Sequence, residues 1–354
     1  MLTSARVGPR MPAETINQTG ELHVTISMRG FVRTVAPTAA LALALAACGG
    51  GSDDGGGEGG GGGGQGGGQE LTGTIKVDGS STVAPLTTVA SELFQEENAR
   101  VQVPVGTSGT GGGFEKFCAG ETDISDASRS IEDDEKTACQ GKGITYSELQ
   151  VANDALTVVV SKENTWAKCL TTDQLKKIWN KGSKVNNWKQ VDPSFPNEPL
   201  KLFGPGTDSG TFDYFTDEIN GEEGVSRTDY QPSEDDNVIV QGVTGTKGGL
   251  GYFGFSYFEE NSSKLTAVQI DGGDGCVAPS VQTAQNGTYK PLARPLFIYP
   301  SAAALKRPEV LAFVEFYVNQ STQIAQRAKF VPLNPEQDAK TKQALATLKQ
   351  QAGK

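Results

Sequence analysis

The chain has 354 residues, with 31 basic side chains against 42 acidic ones, a formal net charge of −11, one histidine and five cysteines. Such acidity fits poorly with nucleic acid or an anionic membrane surface, so any anion must be drawn in by local field. The single histidine, His23, stands near the N-terminus, and a Ser–His–Asp triad therefore has no base to draw on in the rest of the chain.

Residues 28–47 read as an export signal. Arg29 and Arg33 form a basic n-region, Val35 to Ala47 an apolar stretch, and Leu45-Ala46-Ala47-Cys48 resembles a lipobox, in which Cys48 carries the lipid. The stretch is too short for a membrane span, and Pro37 interrupts it. Residues 1–27 match no targeting pattern and read as a mis-assigned extension upstream of a start at Met28, which would remove His23 from the mature chain. Residues 48–70 form a Gly-rich tether with an r.m.s. span of roughly 25 Å. The remaining stretch, 71–354, is long enough for two domains.

Thr74 to Val77 alternates and predicts a first strand. The turn Asp78-Gly79-Ser80-Ser81-Thr82 comes next, then a helix from about Val83 to Glu97, with Ser81 or Thr82 placed to cap it and Pro85 tolerated in its first turn. Val101 to Val105 predicts a second strand. The loop Thr107-Ser108-Gly109-Thr110-Gly111-Gly112-Gly113 then enters a helix through Phe114 and Phe117, and Thr122 to Ala127 is a third short strand ending at Ser128-Arg129. This strand–loop–helix rhythm argues for a parallel α/β sheet.

Further along, the β-branched run Ala155 to Val160 predicts a buried strand. Thr172 caps a helix through Leu175, Ile178 and Trp179. Leu200 to Phe203 delivers the loop Gly204-Pro205-Gly206-Thr207-Asp208-Ser209-Gly210-Thr211 to a helix reaching about Glu218. Ser233 with Asp236 resembles a capping box for a helix through Val238 to Gly242. Gly249 to Phe255 and Pro295 to Tyr299 read as strands, Pro308 to Asn319 and Pro335 to Gln351 as helices.

Besides Cys48 there are four cysteines. An even number in an exported chain reads as two disulfides. Three pairings are open; Cys118–Cys139, which closes a local loop, and Cys169–Cys276 are favoured over zinc, since no close Cys pair and no histidine is at hand.

Three Gly/Ser/Thr loops, each between a strand and a helix, present outward backbone N–H groups with hydroxyls beside them. Such loops also serve as plain caps and turns. Repeated at strand carboxyl ends, they point instead to a small oxyanion held by neutral donors. Arg129 is the natural counter-charge, its fork matching two oxygens; its alternative is a surface ion pair with Glu132 or Asp133. Ser209 lacks the nucleophile-elbow spacing, and no Walker A sequence occurs.

In order, Asp78-Gly79-Ser80-Ser81-Thr82-Val83-Ala84-Pro85, Ser108-Gly109-Thr110-Gly111-Gly112-Gly113, Asp123-Ile124-Ser125-Asp126-Ala127-Ser128-Arg129 and Gly206-Thr207-Asp208-Ser209-Gly210-Thr211-Phe212 resemble the phosphate-binding proteins of bacterial ABC phosphate importers, the PstS family. The resemblance implies an α/β, two-lobed periplasmic-binding-protein fold with the ligand in the interlobe cleft. Lobe I would comprise 71–153 plus 295–354, and lobe II 154–294. It implies phosphate donors at Thr82 and Val83 with Ser81 beside them, at Thr110 or Ser108, and at Ser209, Gly210 and Thr211.

Two positions depart from the family pattern. Ser128 stands where an Asp accepts the phosphate's proton, and Pro205 where an Arg lies four residues before the third-loop Ser. Arg129 is read as the relocated cation and Asp208, ahead of Asp126, as the substitute acceptor. The expected function is an extracytoplasmic, lipid-anchored, monomeric carrier. It would bind phosphate without cofactor, metal or catalysis and deliver it to the permease and ATPase of an ABC importer. Another oxyanion (sulfate, molybdate, tungstate) or an exported phosphatase are the rival readings.

Overall fold

The computed structural model describes residues 70–354; Cys48, the export signal and the tether up to Gln69 lie outside the described residues. In the first lobe, β1 (Val77–Gly79) runs into α1 (Ala84–Gln95), β2 (Val105–Gly106) into α2 (Gly109–Cys118), and β3 (Ile124–Ala127) toward α3 (Asp133–Gly141). β4 (Leu149–Ser161) leads to the second lobe, with α4 (Thr172–Trp179), β5 (Lys201–Pro205), α5 (Gly210–Phe215), β6 (Gln231–Ser233), α6 (Asp236–Thr244) and β7 (Gly249–Gly254). β8 (Ala293–Pro300) returns, and α7 (Pro308–Asn319) and α8 (Pro335–Ala352) complete the first lobe.

The main sheet runs β2–β1–β3–β8–β4–β7–β5–β6. The expected parallel arrangement holds where strands alternate with helices, in the pairs β1·β2, β1·β3, β5·β7 and β5·β6. The sheet as a whole is mixed, because β8 is antiparallel to both β3 and β4, and β4 to β7. These antiparallel contacts arise where the chain crosses between lobes.

Two large apolar cores flank that crossing. One gathers Val77, Leu86, Ile124, Val151, Ile298, Phe313 and Leu348; the other gathers Leu156, Val158, Trp179, Leu202, Phe215, Tyr252 and Leu292. β4 gives its first half to one core and its second half to the other. A smaller core of Phe114, Phe117, Ile131, Phe297 and Tyr299 packs α2 and α3 on the opposite sheet face of the first lobe.

Several local expectations shift. α1 starts after Val83 without a side-chain cap from Ser81 or Thr82. Asp235, not Ser233, caps α6 by accepting from the Asn237 N–H. The helix after the third loop ends in a π turn over Thr216–Asn220. α3 has no counterpart among the predicted elements because its polar stretch offers little apolar periodicity; a capping box between Glu132 and Glu135 fixes its start. Both favoured disulfides are present, Cys118–Cys139 joining α2 to α3 and Cys169–Cys276 within the second lobe.

Candidate functional site

The first loop is a tight turn pinned to β3. Ser80 N–H donates to the Asp126 carbonyl at 2.9 Å, and the N–H groups of Val83 and Ala84 donate back to the Ser80 carbonyl at 3.2 and 3.0 Å. Gly79 has φ +146°, and a side chain there would run into the Asp126 backbone, so only glycine lets β1 turn this closely over β3. The Val83 N–H is thus spent inside the turn, while the Ser80, Ser81 and Thr82 side of it lines a small cavity of about 40 Å³. That is room for roughly three water-sized spheres, the size class of a tetrahedral oxyanion.

Thr110 and Ser128 face each other across the cavity wall, hydroxyl to hydroxyl at 3.1 Å, with the Ser128 N–H donating to Thr110 Oγ1 at 3.2 Å. Ser108 behaves differently. Its N–H and its hydroxyl both donate to Asp78 Oδ1, which ties the second loop to β1. Burial would raise the Asp78 carboxyl, but hydrogen bonds from Lys116 and Ser108 outweigh it and hold it below the ordinary carboxylate range. Of the two second-loop hydroxyls expected at the ligand, Thr110 is therefore the one that lines the small cavity.

Arg294, on β8, lies in register with Asp154 on β4. Its Nε faces Asp154 Oδ2 at 3.4 Å, its Nη2 donates to Thr82 Oγ1 at 2.9 Å, and its guanidinium carbon sits 3.5 Å from the centre of the Tyr214 ring. An ion pair, a hydroxyl and an aromatic face thus fix one cation at the floor of the cavity. The sequence does not mark it as a site residue. Arg294 carries no motif, and its one signal is its place at the boundary between the lobes.

The second lobe contributes carboxylates. Asp213 and Asp217, from the helical segment after the third loop, and Glu223 line the small cavity with Arg294. Burial pushes the Asp213 carboxyl up, Glu223 adds to this, and Arg294 and a hydrogen bond from Ser81 oppose it. Burial and then Asp217 likewise raise Glu218. The small cavity shares Gly109, Thr110, Ser128, Asp217, Glu223 and Arg294 with an outer chamber of about 560 Å³.

Arg129 lines that outer chamber. Its Nη1 and Nη2 each donate to Glu135 at 2.8 Å, and this fork raises its pKa further. Asp208 is exposed, with its N–H toward Glu234 at 3.5 Å, and lines neither cavity; nor do Ser209 and Thr211, whose hydroxyl and N–H bond each other at 3.2 Å. Asp126 turns away from the cleft, accepting from Thr87. No described group of three or more His, Cys, Asp or Glu side chains is arranged to hold a metal ion.

A model of the PBP superfamily domain matches residues 64–321. Protein SphX of Synechococcus elongatus is 51% identical over 262 residues, covering 73% of this chain and 77% of that protein. The phosphate-binding protein PstS of Staphylococcus saprophyticus is 40% identical, over 75% of this chain and 82% of its own. A crystal structure of a possible phosphate binding protein from Planctomyces limnophilus superposes with TM-score 0.76 at 48% identity, covering 79% of this chain and 99% of its own. The chain belongs to the PstS family of the PBP superfamily. Its fold is accordingly the two-lobed periplasmic-binding-protein fold.

In this PstS-family chain the third loop approaches the first at Gly210. A Cβ on Gly210 would stand 2.9 Å from Thr82 Oγ1 and 3.3 Å from the Thr82 backbone. Gly210→Ala is expected to hold the lobes apart by a few tenths of an ångström. Phosphate binding should weaken about tenfold, on the scale of a strained charge-assisted contact, with an unchanged melting temperature. Calorimetry alongside thermal unfolding checks both halves of that expectation.

Proposed function

We propose that this chain is an extracytoplasmic lipoprotein that binds inorganic phosphate between its lobes and delivers it to an ABC permease. The carrying observation is the convergence on one small cavity of hydroxyls from Ser81, Thr82, Thr110 and Ser128 with the Arg294 guanidinium. Neutral donors from one lobe and groups from the other meet a single anion only when the lobes close, so binding favours the closed form. A lipid on Cys48 and the Gly-rich tether would keep the carrier near the permease. The names of the PstS and Planctomyces relatives support the ligand class.

Asp213 is the acceptor we assign to the phosphate proton. It lies in the small cavity beside Ser81 and sits in the field of Arg294. Protonated phosphate donates to a carboxylate, whereas sulfate at neutral pH has no proton and meets only repulsion. Calorimetry with phosphate and with sulfate tests the reading: phosphate binds and sulfate does not. Asp213→Asn should narrow the gap by about tenfold or more, one uncompensated polar contact. Equal binding of both anions by the parent chain would defeat the assignment, and no heat with either anion would defeat the function.

A further inference from the structure

We propose that Glu135 is a positioning residue for anion binding, acting through Arg129. The inference rests on the reading of the cleft as a phosphate site. Arg129 has five N–H donors. Nη1 donates to Glu135 Oε2 at 2.8 Å and to the Ser130 carbonyl at 3.2 Å, Nη2 donates to Glu135 Oε1 at 2.8 Å, and Nε faces Glu132 at 3.2 Å. One N–H of Nη2 remains without a partner among the described residues.

Nη2 lies 3.9 Å from the point a Cβ on Gly111 would occupy, beside the first turn of α2. There Gly109 and Thr110 line both the outer chamber and the small cavity. The fork geometry leaves the guanidinium one orientation, flat against Glu135, so the carboxylate decides where the spare donor points.

The carboxylate is itself tied to the start of its helix. Glu135 accepts from the Glu132 N–H at 2.8 Å, closing the capping box of α3. One turn further along α3, Cys139 is bonded to Cys118 at the end of α2. The disulfide thus fixes the helix that carries Glu135 to the helix whose first turn faces the anion. The guanidinium also lies over Phe114 of α2, 5.8 Å from the ring centre. The sequence-local pair with Glu132 is also present, at 3.2 Å, but only Glu135 both forks the guanidinium and closes the capping box of α3.

Calorimetry with inorganic phosphate on the full chain tests this with four variants. Glu135→Asp keeps the charge but draws it back, and Glu135→Gln keeps the cap but breaks the charged fork. Each is expected to weaken phosphate binding five- to twentyfold, and Arg129→Ala at least tenfold. In the Arg129→Ala background, Glu135→Gln should cost nothing further, the signature of action through Arg129. Tighter binding by Glu135→Gln would mean that Glu135 only opposes the anion's charge, and would overturn the proposal. So would unchanged binding by Glu135→Asp, or an undiminished loss in the Arg129→Ala background. If Arg129→Ala binds as the parent does, this inference falls while phosphate binding by the parent leaves the proposed function standing.

Discussion

Arg294→Ala is expected to weaken phosphate binding by about a hundredfold or more, roughly 3 kcal/mol, a larger loss than any single hydroxyl deletion in the cleft. Two losses combine. The anion loses a guanidinium already aligned by Asp154, Thr82 and Tyr214, and the small cavity is left with Asp213, Asp217 and Glu223 unopposed. Asp154 is buried, and its carboxyl, already raised by burial against the pull of Arg294, loses its partner. Stability should therefore fall by about 3 kcal/mol as well, as for a broken buried pair. Arg294→Lys separates the two effects. It restores charge and most of the stability but not the fork, so binding should stay at least tenfold below the parent. Calorimetry and denaturant unfolding on the same samples give both numbers, and binding by the alanine variant within threefold of the parent would remove Arg294 from the site.

Loops are legible in this sequence because their chemistry is local: Gly79 must be glycine to turn over β3, and the Gly-rich start of α2 shows in seven consecutive residues. Helices with apolar faces, such as α7 and α8, are bounded by their pattern to within a residue or so. Arg294 and Asp213 are not legible, because what brings them to the candidate site is tertiary. Arg294 arrives there through the β4·β8 register that sets it against Asp154. Asp213 arrives there because Gly210, Asp213 and Asp217 share a helical face, a 3–4 residue spacing that carries past the end of the third motif at Phe212. Arg129 stands out by its motif, but its partner Glu135 sits on α3, the helix with too little apolar patterning to be predicted.

Asp126 supplies the other large effect. It is fully buried beneath the first loop, with Oδ2 accepting from Thr87 at 2.8 Å and Oδ1 without a partner among the described residues. Thr87 in turn meets the Tyr317 hydroxyl of α7 at 3.3 Å, and Asp78 of β1 adds negative field. Burial, opposed by the Thr87 bond and helped by Asp78, pushes the carboxyl up to about 8 from an ordinary 3.8. Between those values the folded chain holds a proton that the unfolded chain has released. The contribution of Asp126 is therefore full below about pH 4 and is lost as pH rises toward 8, at about 1.4 kcal/mol per pH unit. Asp126→Asn keeps the shape and the Thr87 contact but has no proton to lose. Parent and variant should be of similar stability near pH 4 and diverge upward in pH, the variant becoming the more stable. The difference between the two isolates this one group from Asp154, Asp213 and Glu218, whose raised carboxyls act equally in both. Urea unfolding at pH 4.5, 6 and 7.5 measures it, and parallel stability curves would show Asp126 to be ionised in the fold. Because the Asp126 carbonyl also anchors Ser80, the same ionisation should loosen the first loop, so above pH 8 phosphate should bind the asparagine variant more tightly than the parent.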